Sequence, residues 1–504
     1  MNNLYRILQE SAGRHPDQTA VQFETHSISY RQLKESSDRF AAGLCSLGFE
    51  SGDRIAVLFP NLPHFPIAFF GILKIGGVVV PISPTVHPEV LQIQLVESDV
   101  RGIVYWGGFS KWVSQALPKA ESSRRRIVLA DVPEAGEIRM GWLLESSQPL
   151  GETVDIDPDA TAVIAHTAGI TGDPKGVELT HGSLSADAEA CHWFLKTSPD
   201  DRVLGVIPLA HPVGITLVMN AFFLSGSRMT LMPKFDPQTA LKTMAEYRTT
   251  HLIGVPTMFR SLTQAASSAL DTSSLKTCLS VGEGMDQETL DKFGSVFRIP
   301  LLEGYGLTEA SPMVSFNNPV PDRKARCLGL PLPGIDMKIV DENGNQVKPG
   351  EVGEVIVKGS VVMKGYWRKP EETARVLKQD WLWTGDLAVF HDDGFAFWKG
   401  RRSDIILKSG FEIYPREVEA VICDHPKIRE AAVTGIPDPV VGEEIHAYAV
   451  LKEGETATSE EIVEHCKGRL APYKCPRTVH FIASLPKSTT GRVIRHKLRS
   501  APKI

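Results

Sequence analysis

Short apolar runs alternate with helical patterns through most of this chain, and that alternation leaves few folds open. Residues 55–59, 78–82, 100–105, 162–165, 203–208, 229–232, 252–256 and 277–281 each read as a buried strand. Helix signals lie among them. Ser29-Tyr30-Arg31-Gln32 has the form of a capping box. Leu33, Phe40, Leu44 and Leu47 then fall on one helical face, and Gly48 closes it. An apolar helix is expected near 67–74, another opens at Pro88, and a third runs to Leu224. Strands alternating with helices imply parallel βαβ units.

After Gly334 the texture changes. Asp341-Glu342-Asn343-Gly344-Asn345 is turn-rich, and alternating strands at 337–340 and 352–358 flank it, which predicts an antiparallel region. A boundary is expected near Gly400-Arg401, dividing 1–400 from 401–504. Beyond it the pattern predicts a helix over 415–422, strands at 431–435 and 447–451, and a helix capped by Ser459. Ile462, Cys466 and Leu470 share one face of that helix.

At 504 residues the chain exceeds one ordinary core, so two or more domains are expected. Its 54 basic and 60 acidic side chains leave a net charge of -6, unlike a general nucleic-acid binder. The local cluster Arg124-Arg125-Arg126 reads as a solvated turn. Seven cysteines without a CxxC pair argue against a disulfide framework or a zinc site. The opening MNNLYRILQESAGRHPDQ has no basic start followed by an apolar core, so no secretory signal is expected. The most apolar stretch, 67–82, contains Lys74 and is too short for a transmembrane segment. A reducing cytoplasm is the expected compartment, with peripheral membrane contact left open.

Residues 162–180 read AVIAHTAGITGDPKGVELT. An apolar strand runs into Thr167, Gly169, Thr171, Gly172, Pro174, Lys175 and Gly176. Glycines let backbone N–H groups turn inward, and threonine hydroxyls and a lysine add donors and a point charge. Such a loop suits a polyphosphate. It is not a Walker A loop, because no Gly-Lys-Ser/Thr follows at the correct spacing. Alone it would read as a surface turn; the order of Thr, Gly, Pro and Lys is more specific. In Glu303-Gly304-Tyr305-Gly306-Leu307-Thr308-Glu309, glycines flank an aromatic ring. Thr308 and Glu309 offer hard oxygen ligands for Mg²⁺ held jointly with phosphates. Trp383-Thr384-Gly385-Asp386, Gly400-Arg401-Arg402-Ser403-Asp404, Lys408-Ser409-Gly410 and Pro486-Lys487-Ser488-Thr489-Thr490-Gly491-Arg492 follow in order. Earlier lie Pro208-Leu209-Ala210-His211-Pro212-Val213-Gly214, Gly254-Val255-Pro256-Thr257-Met258-Phe259 and Val281-Gly282-Glu283-Gly284.

In this order the stretches resemble the adenylate-forming superfamily of acyl-CoA synthetases, luciferases and nonribosomal peptide adenylation domains. The likeness runs over residues 30–498, and LEGYGLTEASP, GVPTMF and VMKGYW are most similar to bacterial long-chain fatty acyl-CoA ligases. The resemblance implies an α/β protein: a large N-terminal α/β domain with a β-rich appendage, and a small mobile C-terminal α+β domain. It implies two steps with ATP, Mg²⁺ and CoA. A carboxylate attacks the α-phosphate, giving acyl-AMP and pyrophosphate, and the CoA thiol then displaces AMP.

By the same resemblance, Thr167, Gly169, Thr171, Gly172 and Lys175 would hold phosphates. Thr308 would meet a phosphate, and Glu309 would bind magnesium. Gly304 and Tyr305 would lie against adenine with the Gly282-Glu283 loop, while Asp386 and Arg401 would take the ribose. His211 would gate the carboxylate, and Ser409 and Gly410 would turn toward pantetheine. Three positions depart from the family pattern. Ala168 and Ile170 remove hydroxyl donors from the loop. Arg492 stands where relatives carry a lysine that contacts the carboxylate and α-phosphate, and a guanidinium differs from an ammonium in shape and donor geometry. These departures motivate a rival enzyme that only converts preformed acyl-AMP to acyl-CoA. A carrier-protein thiol is an alternative acceptor, and a non-catalytic nucleotide- or acyl-binding protein is the reading from another class.

Overall fold

The computed structural model describes residues 3–117, 124–167, 175–266, 271–317, 325, 327–391, 395–487 and 493–500. The expected alternation builds two large sheets, of eight and nine strands. In the first, Arg54–Leu58, Val78–Pro81, Gly102–Trp106 and Arg125–Leu129 pair in parallel. Thr161–His166 runs parallel to Val78–Pro81, then pairs antiparallel with Gly176–Thr180 across the glycine-rich loop. In the second, Arg202–Gly205, Arg228–Leu231, His251–Gly254, Thr277–Val281 and Leu301–Gly306 are parallel neighbours. Helices cover such sheets on both faces, so central strands such as Val78–Pro81 are buried along their whole length. Ligands in open parallel sheets gather beyond the carboxyl ends of the strands. Thr161–His166 and Leu301–Gly306 both deliver their motifs at that edge.

From Ile335 the sheet becomes antiparallel, through Ile335–Val340, Val352–Gly359, Trp381–Phe390 and Ala396–Arg401. A further five-stranded sheet, starting at Ile406–Lys408, packs helices Pro415–Cys423 and Ser459–Lys467 over its own core. Ile413, Val418, Ile422, Val433 and Ile462 are buried in that core.

The capping box at Ser29 is formed, and it starts helix Tyr30–Ser46. Three local expectations are corrected. Helix Ser459–Lys467 is capped by Thr458, which accepts from Glu461 N–H at 3.2 Å, because Ser459 Oγ is taken by Val479 N–H at 3.0 Å. Arg125 and Arg126 begin the strand Arg125–Leu129 instead of a solvated turn, and Arg126 donates to the Leu117 carbonyl. The stretch before Leu224 is a π-helix, Gly214–Asn220, followed by a short α-turn. None of the seven cysteines is joined in a disulfide. Among the described residues no helix is long and apolar enough to cross a membrane.

The lysine inside the apolar helix His64–Lys74 is buried and paired. Lys74 Nζ lies 2.8 Å from Asp38, whose other oxygen meets Lys34 at 2.7 Å. Tyr5 donates its hydroxyl to the same carboxylate. One acid thus ties Tyr5 and the helix His64–Lys74 to the helix Tyr30–Ser46 that carries it. Asp38→Asn removes the anion paired with an ammonium that is 1 % exposed. Breaking a buried pair from one side costs about 3 kcal/mol. The variant should unfold at a lower temperature by calorimetry, and an unchanged midpoint would show the network to be dispensable.

Candidate active site

Three segments converge at the carboxyl edge: the strand Leu301–Gly306 with its 3₁₀ turn Thr308–Ala310, the strand Trp381–Phe390, and the junction after Ala396–Arg401. Asp386 sits opposite Arg401 in the ladder between the last two. It is 3 % exposed. Tyr305 Oη donates to its Oδ2 at 3.0 Å, and Trp398 Nε1 donates to Oδ1 at 3.2 Å. Arg401 Nε stands 3.0 Å from Oδ1 as an ion pair, without a well-aimed hydrogen bond. Burial resists the Arg401 charge, but the Asp386 and Glu309 carboxylates outweigh it and hold the guanidinium above its ordinary range. Arg401 therefore lies in the field of both acids. Burial, joined by Asp386, pushes the Tyr305 phenol well up, so it stays a neutral donor.

Glu309 accepts from Tyr366 Oη at 3.0 Å. Tyr366 reaches it because Gly365–Tyr366 adds as a strand to Gly176–Thr180. Lys175, one residue before that strand, lies 5.2 Å from the Tyr366 ring centre and forms an ion pair with Glu372. Its backbone pairs with Thr167, whose N–H donates to the Lys175 carbonyl at 3.0 Å. Buried Asp187 accepts from Met313 N–H at 3.0 Å, and Thr216 Oγ1 donates to the Ser311 carbonyl at 2.8 Å. These two side chains hold the turn that carries Thr308 and Glu309.

His211 lies in the turn just before the π-helix Gly214–Asn220. An added Cβ at Gly214 would lie 2.3 Å from the Pro208 carbonyl, so this turn folds back too tightly for any side chain there. Burial pushes the His211 imidazole down to about 4. Its Nδ1 accepts from Val213 N–H at 3.2 Å, which leaves the proton on Nε2. The ring is a neutral donor at pH 7, suited to orienting a group and not to taking its proton. Gly282 takes φ +96°, a left-handed backbone that favours glycine, and Glu283 follows it. Glu283 adds to the field on Arg495, which also meets Asp404 at 3.5 Å and Glu419 at 2.5 Å.

Thr167, Lys175, Gly282, Glu283, Gly304, Tyr305, Thr308, Glu309, Asp386 and Arg401 thus line connected segments. Gly169, Thr171, Gly172 and Arg492 lie outside the described residues. Ser409 and Gly410 form the exposed turn between Ile406–Lys408 and Phe411–Ile413. Ser409 N–H donates to Val441 O within the same C-terminal sheet unit. Sequence reasoning missed Tyr366, Trp398, Glu372 and Asp187. VMKGYW contains Tyr366, which was the one signal available.

The acidic groups allow a test of cofactor fit. A buried carboxylate ringed by Tyr305, Trp398 and Arg401 suits a diol, which would donate two hydroxyls to it. Among the described residues no cluster of three His, Cys, Asp or Glu could hold a metal alone. Glu309 and Thr308 therefore fit only a magnesium ion completed by phosphate oxygens and water.

The AMP-binding enzyme family model matches residues 8–367, and the AMP-binding enzyme C-terminal domain model matches 417–492. A long-chain-fatty-acid–CoA ligase of Bacillus subtilis (strain 168) is 36% identical over 531 aligned residues, covering 98% of this chain and 94% of its own. The ligase of the same name from Escherichia coli O6:H1 is 34% identical, covering 99% and 94%. ATP-bound MatB from Rhodopseudomonas palustris superposes with a TM-score of 0.91 at 28% identity, covering 99% of both chains. O-succinylbenzoate coenzyme A synthetase from Bacillus subtilis in complex with AMP gives 0.87 at 27%, covering 99% and 98%.

His64, His166, His181, His211 and His251 are each pushed down to about 4, first by burial. The unfolded chain binds these protons near pH 6.5, before the folded one does. The stability they contribute is present above pH 6.5 and drains as pH falls toward 4. The thermal midpoint should drop across that window. His64→Phe should flatten the drop while keeping the stack on Phe59, and an unflattened drop would count against burial as the cause.

Proposed function

The chain belongs to the AMP-binding enzyme family, and on that premise we infer that it is an acyl-CoA ligase working through an acyl-adenylate. The observation that carries this reading is the buried Asp386 carboxylate, tied through Arg401 to the acid that would meet magnesium. ATP binding follows from the family. The substrate is a fatty acid, a reading supported by near full-length likeness to proteins named long-chain-fatty-acid–CoA ligases. Its carboxylate attacks the α-phosphate, pyrophosphate leaves, and the CoA thiol displaces AMP. Such chemistry needs placed charge and orientation, and no protein nucleophile.

In this reading Asp386 and Arg401 hold the ribose, and Tyr305, Gly304, Gly282 and Glu283 frame the adenine. Thr167, Lys175 and the loop glycines hold phosphates. Glu309 and Thr308 meet a magnesium ion, whose chemistry is to neutralise phosphate charge. His211 Nε2–H orients the carboxylate. Arg492 supplies the cation that relatives draw from lysine. The rival that skips adenylation is not favoured, because ligases of ordinary name match over the whole chain.

The test is pyrophosphate release with ATP and a panel of acids, with acyl-CoA read by mass spectrometry. The native protein should yield both products from a long-chain fatty acid. Product from synthetic acyl-AMP but none from ATP would overturn adenylation and reinstate the rival.

The unit 401–504 is the mobile domain of this proposal. Arg495, near the Arg492 position, feels Glu283 on the nucleotide side, while the Ser409-Gly410 turn faces solvent. The CoA step then requires that unit to turn about the 3₁₀ segment Arg402–Asp404. Ser403→Pro fixes φ at the pivot. ATP–pyrophosphate exchange should survive while overall acyl-CoA formation slows. Equal retention of both would count against a pivot at Ser403.

A further inference from the structure

Lys175 closes the phosphate-binding loop, yet its ammonium already has a partner. It pairs with Glu372, in the first turn of Pro370–Val376, and lies over the Tyr366 ring. Through Tyr366 the same contact reaches Glu309. The two side chains of the ion pair are 33% and 31% exposed, so water reaches both. The pair is therefore easily exchanged, worth no more than about fivefold in an equilibrium constant. The lysine hydrogen bond keeps the Glu372 carboxyl below its ordinary range, so it stays an anion.

An ammonium has three donors and no fixed fork, so it can pass from one anion to another by rotation. A polyphosphate carries more charge than one carboxylate and would displace Glu372 when it binds. Once pyrophosphate has separated from the adenylate it loses contacts, and the carboxylate can recapture the lysine. We propose that Glu372 is a positioning residue that competes with pyrophosphate for Lys175 and so speeds departure of the leaving product. The inference rests on the acyl-CoA ligase reading above. No bond is made or broken in this exchange; one ion pair replaces another.

The test uses the full chain with Glu372→Gln, Lys175→Gln and the double variant. Pyrophosphate affinity is measured by calorimetry, which needs no turnover. The thermal unfolding midpoint of each variant, which needs no turnover, checks that it is folded. Glu372→Gln should bind pyrophosphate about threefold more tightly and be inhibited by it to the same degree. In the Lys175→Gln background the Glu372 substitution should change nothing. Equal or weaker binding by Glu372→Gln overturns the proposal. So does tightening that persists without Lys175, or pyrophosphate binding undetectable in native protein and variant alike. A native protein that binds pyrophosphate but never forms acyl-adenylate would instead defeat the functional reading.

Discussion

The carboxylate of Asp386 is the contact on which the site depends. Its three partners come from two stretches far apart in the chain: Tyr305 from the parallel sheet, and Trp398 and Arg401 from one strand of the antiparallel one. Next to it, Gly385 N–H donates to Glu354 at 2.9 Å, and Glu354 also meets Arg402 at 3.0 Å. Arg416, from the C-terminal unit, lies 5.3 Å over the Trp398 ring. One buried acid therefore registers two sheets against each other and touches the joint to the third. An acid buried this far persists only with such partners, since an unpaired one would lose far more in desolvation than it gains.

A second arrangement follows from strand addition. The two residues Gly365–Tyr366 extend the first sheet at Gly176–Thr180, and Met363 N–H donates to the Glu309 carbonyl at 2.9 Å. This places a phenol between the acid of one sheet and the lysine of the other. The geometry of Glu309 is thus set by chain that arrives from the appendage, more than fifty residues later in sequence. Electrostatically, the site alternates sign from Asp386 to Arg401 to Glu309, and from Lys175 to Glu372. Alternation of this kind sets each charge beside one of opposite sign in the absence of a ligand.

The motifs that named the family were legible because they are local. A glycine-rich loop after an apolar strand, a Thr-Glu pair after a strand end, and an Asp in a tight turn each carry their chemistry within a few residues. Caps and strands were legible for the same reason, as with Ser29 and the run at Val78–Pro81. Where two neighbours competed, local reading slipped: Ser459 looked like a cap until Val479 claimed its hydroxyl. Asp187, Thr216 and Trp398 carry no motif at all, and their roles depend on the residues they happen to face.

The sequence by itself determined the class of fold, the order of the phosphate, magnesium and ribose segments, and the departures at Ala168, Ile170 and Arg492. Those rest on periodicity and on short-range chemistry, which the chain carries wherever it goes. Tertiary structure alone decided that Lys74 is neutralised by Asp38 and that Tyr366 bridges toward Lys175. It also decided that His211 is a neutral donor and that Lys175 waits on Glu372. The reason is that charge state and partner choice are set by burial and by distance through space, and neither is a property of sequence separation.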